Sequence, residues 1–515
     1  MKYIILALSL VTSSVNAGDN IDFVVSSERV FNSDKKKFEA LDVAVCGKKI
    51  CAIAERGSLK AYAKKYLDYG TKVISPGFID PHTHSLSELS KYSTRANLNY
   101  LTQGVTTVIN GNDGKSPESI AKTAKQLLEQ GIGTNVAFFI GHNTVRNAVM
   151  GQADRKATLS ELKKMRMLVE QNMQAGALGL STGLYYLPGT FASTEEVVEL
   201  AKIAAEYQGI YETHLRDEST FNIGFLNAIK EAIAIAEQAK MPLHLGHIKA
   251  LGVDVWGQSA KAIELVQAAQ KRGVKITADQ YPWLASGTSI SGAVVPSWVR
   301  EGGKKATIGR LNDKTLYHKI HAEITENIRR RGGAERLLIT VTEQPNISGQ
   351  TLAEVAKSRS KSPADTVIEL AKGPVVKVAS FNMSEQDVIN FMVKPWVVTS
   401  SDGSNGHPRK YASFPKKLKT YVLEQQLITL ETFLLQSTTA TANALNIDDR
   451  GAIRLGLNAD LIIFEPTSVK VNASFKQWNI LSTGFNDVFL NGQHVVQNGN
   501  YNGLLAGEFV KPHTL

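Results

Sequence analysis

The chain has 515 residues, enough to bury a large core and, at roughly 100 to 200 residues per domain, to form two or three domains. Hydrophobic residues make up 43% and charged ones 21%, with no low-complexity tract, short-period repeat or heptad run, so disordered, fibrous and coiled-coil classes are excluded. The net charge of +10 raises a nucleic-acid reading, but basic clusters such as Lys35-Lys36-Lys37 and Arg329-Arg330-Arg331 carry no interleaved aromatic platform. They read as solvated faces, with no nucleic-acid partner expected and at most a mild attraction for anionic substrates.

Lys2, the apolar run Tyr3 to Val11 and the small-residue exit Val15-Asn16-Ala17 have the layout of a secretory signal peptide cleaved after Ala17. A secreted or periplasmic location follows. No cysteine succeeds the cleavage position, so a lipid anchor is not expected, and no further apolar run reaches about 18 residues, so the mature chain has no integral membrane segment. Cys46 and Cys51 flank Gly47-Lys48-Lys49-Ile50. They read either as a disulfide across a hairpin or as two reduced core cysteines.

Short β-rich runs follow one another from there. The first is the apolar run Val73 to Ile79, leading into His82 and His84. Next come Val105 to Asn110, Asn135 to Ile140, Ala177 to Ser181 and Gly209 to Thr213. Pro242 to Gly246, Val274 to Ala278 and Trp396 to Ser400 complete the series. Amphipathic stretches such as "SPESIAKTAKQLLEQ" and "AIKEAIAIAEQAK" separate most of them. The pattern predicts an α/β fold, a (β/α)8 TIM-like barrel, in preference to a doubly wound sheet.

Polar residues collect where these strands end, the rim on which barrel enzymes build active sites. His82 and His84 end the first, Asp113 the second, His142 the third, His214 the fifth, His247 the sixth and Asp402 the eighth. In an extended strand residues i and i+2 share a face, so His82 and His84 can reach one ion together. Metal binding is the reading for this set.

The stretches "PGFIDPHTH", "TQGVTTVINGNDG", "GALGLSTGLYYLPG", "THLRDES", "LGHIKALG", "DQYPW" and "SSDGSNGHPRKYASFP" occur in that order. This resembles the amidohydrolase superfamily, specifically its D-aminoacylase branch, the N-acyl-D-amino-acid deacylases. The resemblance runs from about residue 20 to 510. It implies a small β-sandwich built from both chain ends, here 18–75 and 436–515, around a barrel at 76–435. Alternating short strands and the turns Asn491-Gly492 and Asn498-Gly499 support that division independently. Residues 283–394 interrupt the barrel rhythm and read either as the branch's lid or as an α-helical decoration.

Carried over residue by residue, the resemblance implies that His214 and His247 hold a tightly bound zinc. His82 and His84 would face a weaker second position, with Asp402 the catalytic aspartate. Lys249, Tyr281 and Arg409 would hold the substrate carboxylate, with Tyr185 lining the same pocket. Asp113 stands where branch members have a cysteine. As a harder ligand that can bridge two ions, it leaves one or two zinc ions, or manganese or cobalt, as the expected cofactor. Ser85 replaces an aspartate common in the branch, and His142 has no ligand role there and reads either as a support behind the metal ligands or as loop-stabilising. "GALGLSTG" has no lysine, so a carboxylated bridging lysine is not expected, which weakens hydantoinase and dihydroorotase readings. The implied reaction is hydrolysis of N-acyl-D-amino acids; a dipeptidase acting before a C-terminal D-residue and a cyclic amidase are the alternatives.

Overall fold

The computed structural model describes residues 21–512, and the segment read as a signal peptide lies outside them. Within the apolar run from Val73 to Ile79 the chain serves two sheets. Val73–Pro76 pairs antiparallel with Leu461–Phe464 and parallel with Phe23–Asn32, whereas Phe78–Asp80 pairs parallel with Val105–Asn110. Gly77 is the hand-over. Its N–H donates to the Asp460 carbonyl, that of Phe78 to the Gly104 carbonyl, and a Cβ on Gly77 would lie 2.2 Å from Thr106 Oγ1.

The barrel strands are β1 (Phe78–Asp80), β2 (Val105–Asn110), β3 (Asn135–Phe138, continued by Ile140–Gly141), β4 (Gly179–Gly183), β5 (Ile210–His214), β6 (Leu243–Leu245), β7 (Ile276–Gln280) and β8 (Val397–Thr399). Each pairs parallel with the next, and a bridge between Thr83 and Gly403 brings the extension of β1 to that of β8. The (β/α)8 barrel is thereby closed. β4 and β7 begin two residues later than their apolar runs and extend through Thr182, Asp279 and Gln280, because backbone pairing with β5 and β8 continues where hydrophobicity stops. The outer helices follow the amphipathic stretches: Phe225–Ala239 buries Phe225, Ala228, Ile229, Ala232 and Ala236, a 3.6-residue stripe, while Ile120–Gln130 is capped by the Ser119 side chain.

A nine-stranded sheet joins the chain ends, with Phe23–Asn32, Lys37–Cys46, Lys49–Glu55, Tyr66–Asp68 and Val73–Pro76 from one side and Leu461–Phe464, Phe485–Leu490, Gln493–Gln497 and Asn500–Tyr501 from the other. Cys46 and Cys51 form a disulfide across the Lys37–Cys46 and Lys49–Glu55 hairpin. The stretch after Trp283 is a small α/β body. Ser286–Ser289, Lys377–Ser380 and Leu337–Val341 make an antiparallel sheet, and Ile290, Val299, Ile324, Ile339, Val367 and Val378 give it a core of its own. Its last helix, Glu385–Met392, returns to pack on the barrel helix Ser259–Lys271.

Lys417 is buried behind β8, where its Nζ donates to Thr399 Oγ1 and Gln436 Oε1, both at 2.9 Å. Burial pushes its pKa down to about 7 from 10.5. Between those values the unfolded chain carries a proton that the folded chain lacks, so stability rises with pH across this window. Relative to Lys417→Met, the wild type therefore gains at most about 1.4 kcal/mol per pH unit from pH 7 to 10 in denaturant titrations. Gly77→Ala, with no room beside Thr106, lowers stability by about 1 to 3 kcal/mol in the same assay.

Candidate metal centre and active site

Six of the singled-out side chains meet at the C-terminal mouth of the barrel. His82 and His84 follow β1, Asp113 follows β2, His214 ends β5, His247 follows β6 and Asp402 follows β8. His82 Nε2 lies 3.3 Å from Asp113 Oδ1 and His84 Nε2 3.4 Å from Asp113 Oδ2, so the two imidazoles do face one carboxylate. The same Asp113 Oδ1 that faces His82 is also 3.1 Å from His247 Nε2 and 3.5 Å from His214 Nδ1. Two candidate metal groups result: His82, His84, Asp113 and Asp402, and Asp113, His214 and His247. Asp113 belongs to both.

The donor set fits zinc, which takes imidazole nitrogen and carboxylate oxygen. His82 supplies the structural test. It is fully buried, yet neither ring nitrogen makes a hydrogen bond. Its Nδ1 stands 3.5 Å from Asp279 Oδ2 and 3.6 Å from Glu212 Oε1, carboxylates placed to orient the ring while Nε2 faces the centre. Burial opposes ionisation of Asp113, but the His82 and His247 imidazoles outweigh it and hold this carboxyl well below the usual range. Burial likewise opposes a charge on His82, which Asp113 and Asp279 override, raising its pKa well above the ordinary value. A divalent cation held here would supply the positive charge that these carboxylates otherwise draw from protons. Asp113, His247 and Asp402 also have φ of +56°, +35° and +45°, a region that non-glycine residues rarely adopt and that clusters at functional sites.

The expected carboxylate clamp is assembled but not free. Lys249 Nζ is 2.6 Å from Glu218 Oε1, and Arg409 Nη1 is 2.8 Å from Asp402 Oδ2. The Tyr281 ring centre lies 5.6 Å from Lys249 Nζ and 4.7 Å from the Arg409 guanidinium, and its buried hydroxyl has no hydrogen-bond partner. Tyr185 donates its hydroxyl to the Gly292 carbonyl of the insertion. A cavity opens on His84, Asp113, His214, His247, Asp402, Lys249, Arg409 and Tyr185, with Ser286, Gly287 and Thr288 of the insertion forming part of its wall. His82 and Tyr281 lie behind that wall. His142 is in neither metal group; its Nε2 bonds Glu196 at 2.9 Å, which anchors the segment after β3.

Sequence reasoning missed Glu218, Tyr186, Phe221 and Arg331, which also line the cavity. Glu218 carried a signal, standing four residues after His214 within "THLRDES". Burial pushes its pKa up, but Lys249 and the two histidines win and bring it down to about 2.

Residues 68–496 match the model of the amidohydrolase family. This chain belongs to the amidohydrolase family. Within it, the D-aminoacylase of Alcaligenes xylosoxydans xylosoxydans is 30% identical over 94% of this chain and 96% of its own. The N-acyl-D-aspartate deacylase of that organism is 28% identical over 92% of each. A crystal structure of D-aminoacylase superposes with a TM-score of 0.81 at 29% identity, covering 95% of this chain and all of that one. The N-acyl-D-glutamate deacylase of Bordetella bronchiseptica, complexed with zinc and a phosphonate inhibitor, superposes at 0.80 with 26% identity, covering 96% of this chain and all of that one. These relatives place the amidohydrolase in the D-aminoacylase branch.

Because both groups share one carboxylate, Asp113→Ala strips metal from both, while His84→Ala affects only the first. Metal per protomer, measured by mass spectrometry on purified protein, checks this. A full complement in Asp113→Ala counts against the shared ligand.

Proposed function

We propose that this amidohydrolase cleaves the amide bond of N-acyl-D-amino acids, giving a carboxylate and a free D-amino acid, with zinc as its cofactor. The observation that carries the reading is the convergence, around one cavity, of two metal-ligand groups, the carboxylate of Asp402 and the cations Lys249 and Arg409. The activities of the relatives point the same way, and the D configuration rests on them. Zinc lowers the pKa of water toward about 7 and polarises a carbonyl. His82, His84, Asp113, His214 and His247 would hold one or two ions; the hard carboxylate of Asp113 also suits manganese or cobalt.

The chain's own groups account for the remaining chemistry. Burial opposes the charge on Asp402, but Arg409 and His247 keep it ionised, well below the ordinary carboxylate range. It is thus a base at neutral pH. Its Oδ1, 3.3 Å from His84 Nε2, faces the centre. Asp402 accepts the proton of the attacking water as the new C–O bond forms, then returns it to the amine nitrogen as the C–N bond breaks. Lys249 and Arg409, with the Tyr281 ring packed behind them, grip the α-carboxylate, and Tyr185 closes the pocket toward the insertion. Binding the substrate exchanges partners, since Arg409 and Lys249 already hold Asp402 and Glu218. The signal-peptide layout and the Cys46–Cys51 disulfide support export to the periplasm or medium.

The test is a panel of N-acetyl-D- and N-acetyl-L-amino acids with metal-replete enzyme, in which release from the D series alone is expected. Asp402→Asn lowers kcat by about 100-fold or more while metal stays at Asp113, His214 and His247. Near wild-type turnover in that variant removes Asp402 as the base, and release from neither series removes the deacylase reading.

A further inference from the structure

The basic cluster Arg329-Arg330-Arg331 does not remain one solvated face. Arg329 is exposed and pairs with Asp254 and Glu326 at 2.8 Å, and Arg330 lies 3.5 Å from Glu326. Arg331 turns inward at the end of the helix Tyr317–Arg330 and is 3% exposed. Its Nε donates to the Ala293 carbonyl at 2.8 Å, and its guanidinium sits 5.4 Å from the Phe221 ring centre, on the wall of the active-site cavity. The other two cations of that wall each hold a carboxylate, Lys249 with Glu218 and Arg409 with Asp402. Arg331 holds none among the described residues.

Arg300, half-buried, also lacks a carboxylate partner among the described residues. It lines an adjoining cavity that shares Tyr185 and Phe221 with the first and has Glu323 and Glu326 on its wall. Its Nε donates to the Val295 carbonyl at 3.0 Å. Burial draws its pKa down, and the titratable groups acting on it are Tyr185, Tyr186 and Arg331, with no carboxylate. The other cations of this cavity, Arg216 and Arg330, face Glu231 and Glu326. The buried guanidinium of Arg331 is costly without an anion, and the half-buried one of Arg300 adds repulsion. Both charges lie along one seam between the barrel loops and the insertion.

We infer that Arg331 and Arg300 form a second anion subsite beside the metal centre, built for a substrate that carries a second carboxylate. The inference rests on the deacylase reading and narrows its substrate class. The α-carboxylate belongs to Lys249 and Arg409, so the second anion comes either from an acidic side chain or from the far end of a dicarboxylic acyl group. Relatives do not choose, since a D-aminoacylase and an N-acyl-D-aspartate deacylase match the chain at 30% and 28% identity.

The experiment compares kcat/KM for N-acetyl-D-glutamate, N-acetyl-D-aspartate, N-succinyl-D-leucine and N-acetyl-D-leucine in the metal-replete wild type, Arg331→Met and Arg300→Met. At least one dianion is favoured over N-acetyl-D-leucine by about tenfold or more, and that preference falls by about tenfold or more in each variant. Favoured acetyl substrates assign the subsite to the side chain, and a favoured succinyl substrate assigns it to the acyl group. Arg331 also ties two segments of the insertion together through the Ala293 carbonyl, so Arg300→Met carries the test if Arg331→Met does not fold. Calorimetric titration of the same proteins with D-glutamate, succinate and D-leucine reads binding without turnover. Hydrolysis of N-acetyl-D-leucine with no dianion favoured overturns the subsite and leaves the deacylase reading standing. Hydrolysis of none, with dianion binding that still depends on Arg331 or Arg300, keeps the subsite and sinks that reading. Hydrolysis of none and no such binding overturns both.

Discussion

The site depends on one carboxylate surrounded by four imidazoles. Asp113 reaches His82, His214 and His247 through Oδ1 and His84 through Oδ2, so its placement fixes both ligand groups at once. That placement is enforced by close backbone packing. Gly114 N–H donates to Ser181 Oγ at 3.1 Å, and a Cβ on Gly114 would stand 2.7 Å from Gly183 N. A Cβ on Gly183 would meet the Asp113 carbonyl at 2.2 Å. The loop after β2 thus lies against the end of β4, and only glycine permits the approach.

A second layer of polar residues supports the first from inside the barrel. Asp279 on β7 accepts from His244 Nε2 at 3.0 Å, and His244 Nδ1 meets Thr277 Oγ1 at 2.8 Å. Burial pushes the Glu212 carboxyl up to about 8, yet the imidazole of His82 still draws it down. Acidic groups in so dry an environment tie the orientation of His82 to the packing of β5, β6 and β7. The barrel wall is therefore part of the ligand geometry.

Much of this was legible in the sequence because it rests on local rules. Strand ends are marked by periodicity, the His-x-His pair by its spacing, and the hairpins near Asn491 and Asn498 by residues that accept a positive φ. What the sequence hid depends on distant segments meeting. Nothing local tells Val73–Pro76 from Phe78–Asp80, because their partners lie far apart in the chain. The pairing of Lys249 with Glu218 and of Arg409 with Asp402 is likewise a product of assembly. So is the burial of Arg331, whose neighbours Arg329 and Arg330 follow the solvated reading while it does not. The insertion hid its own sheet, since its strands pair only after helices have intervened.

The sheet that joins the chain ends bears on the order of folding. Val73–Pro76 needs Phe23–Asn32 on one side and Leu461–Phe464 on the other. During synthesis the five N-terminal strands therefore wait, with an edge unpaired, until nearly the whole barrel has been made. A lone edge of that kind invites pairing with other chains. The last strands to emerge act as the clasp that ends this exposure, so truncation after the barrel would threaten solubility before it touched the metal centre.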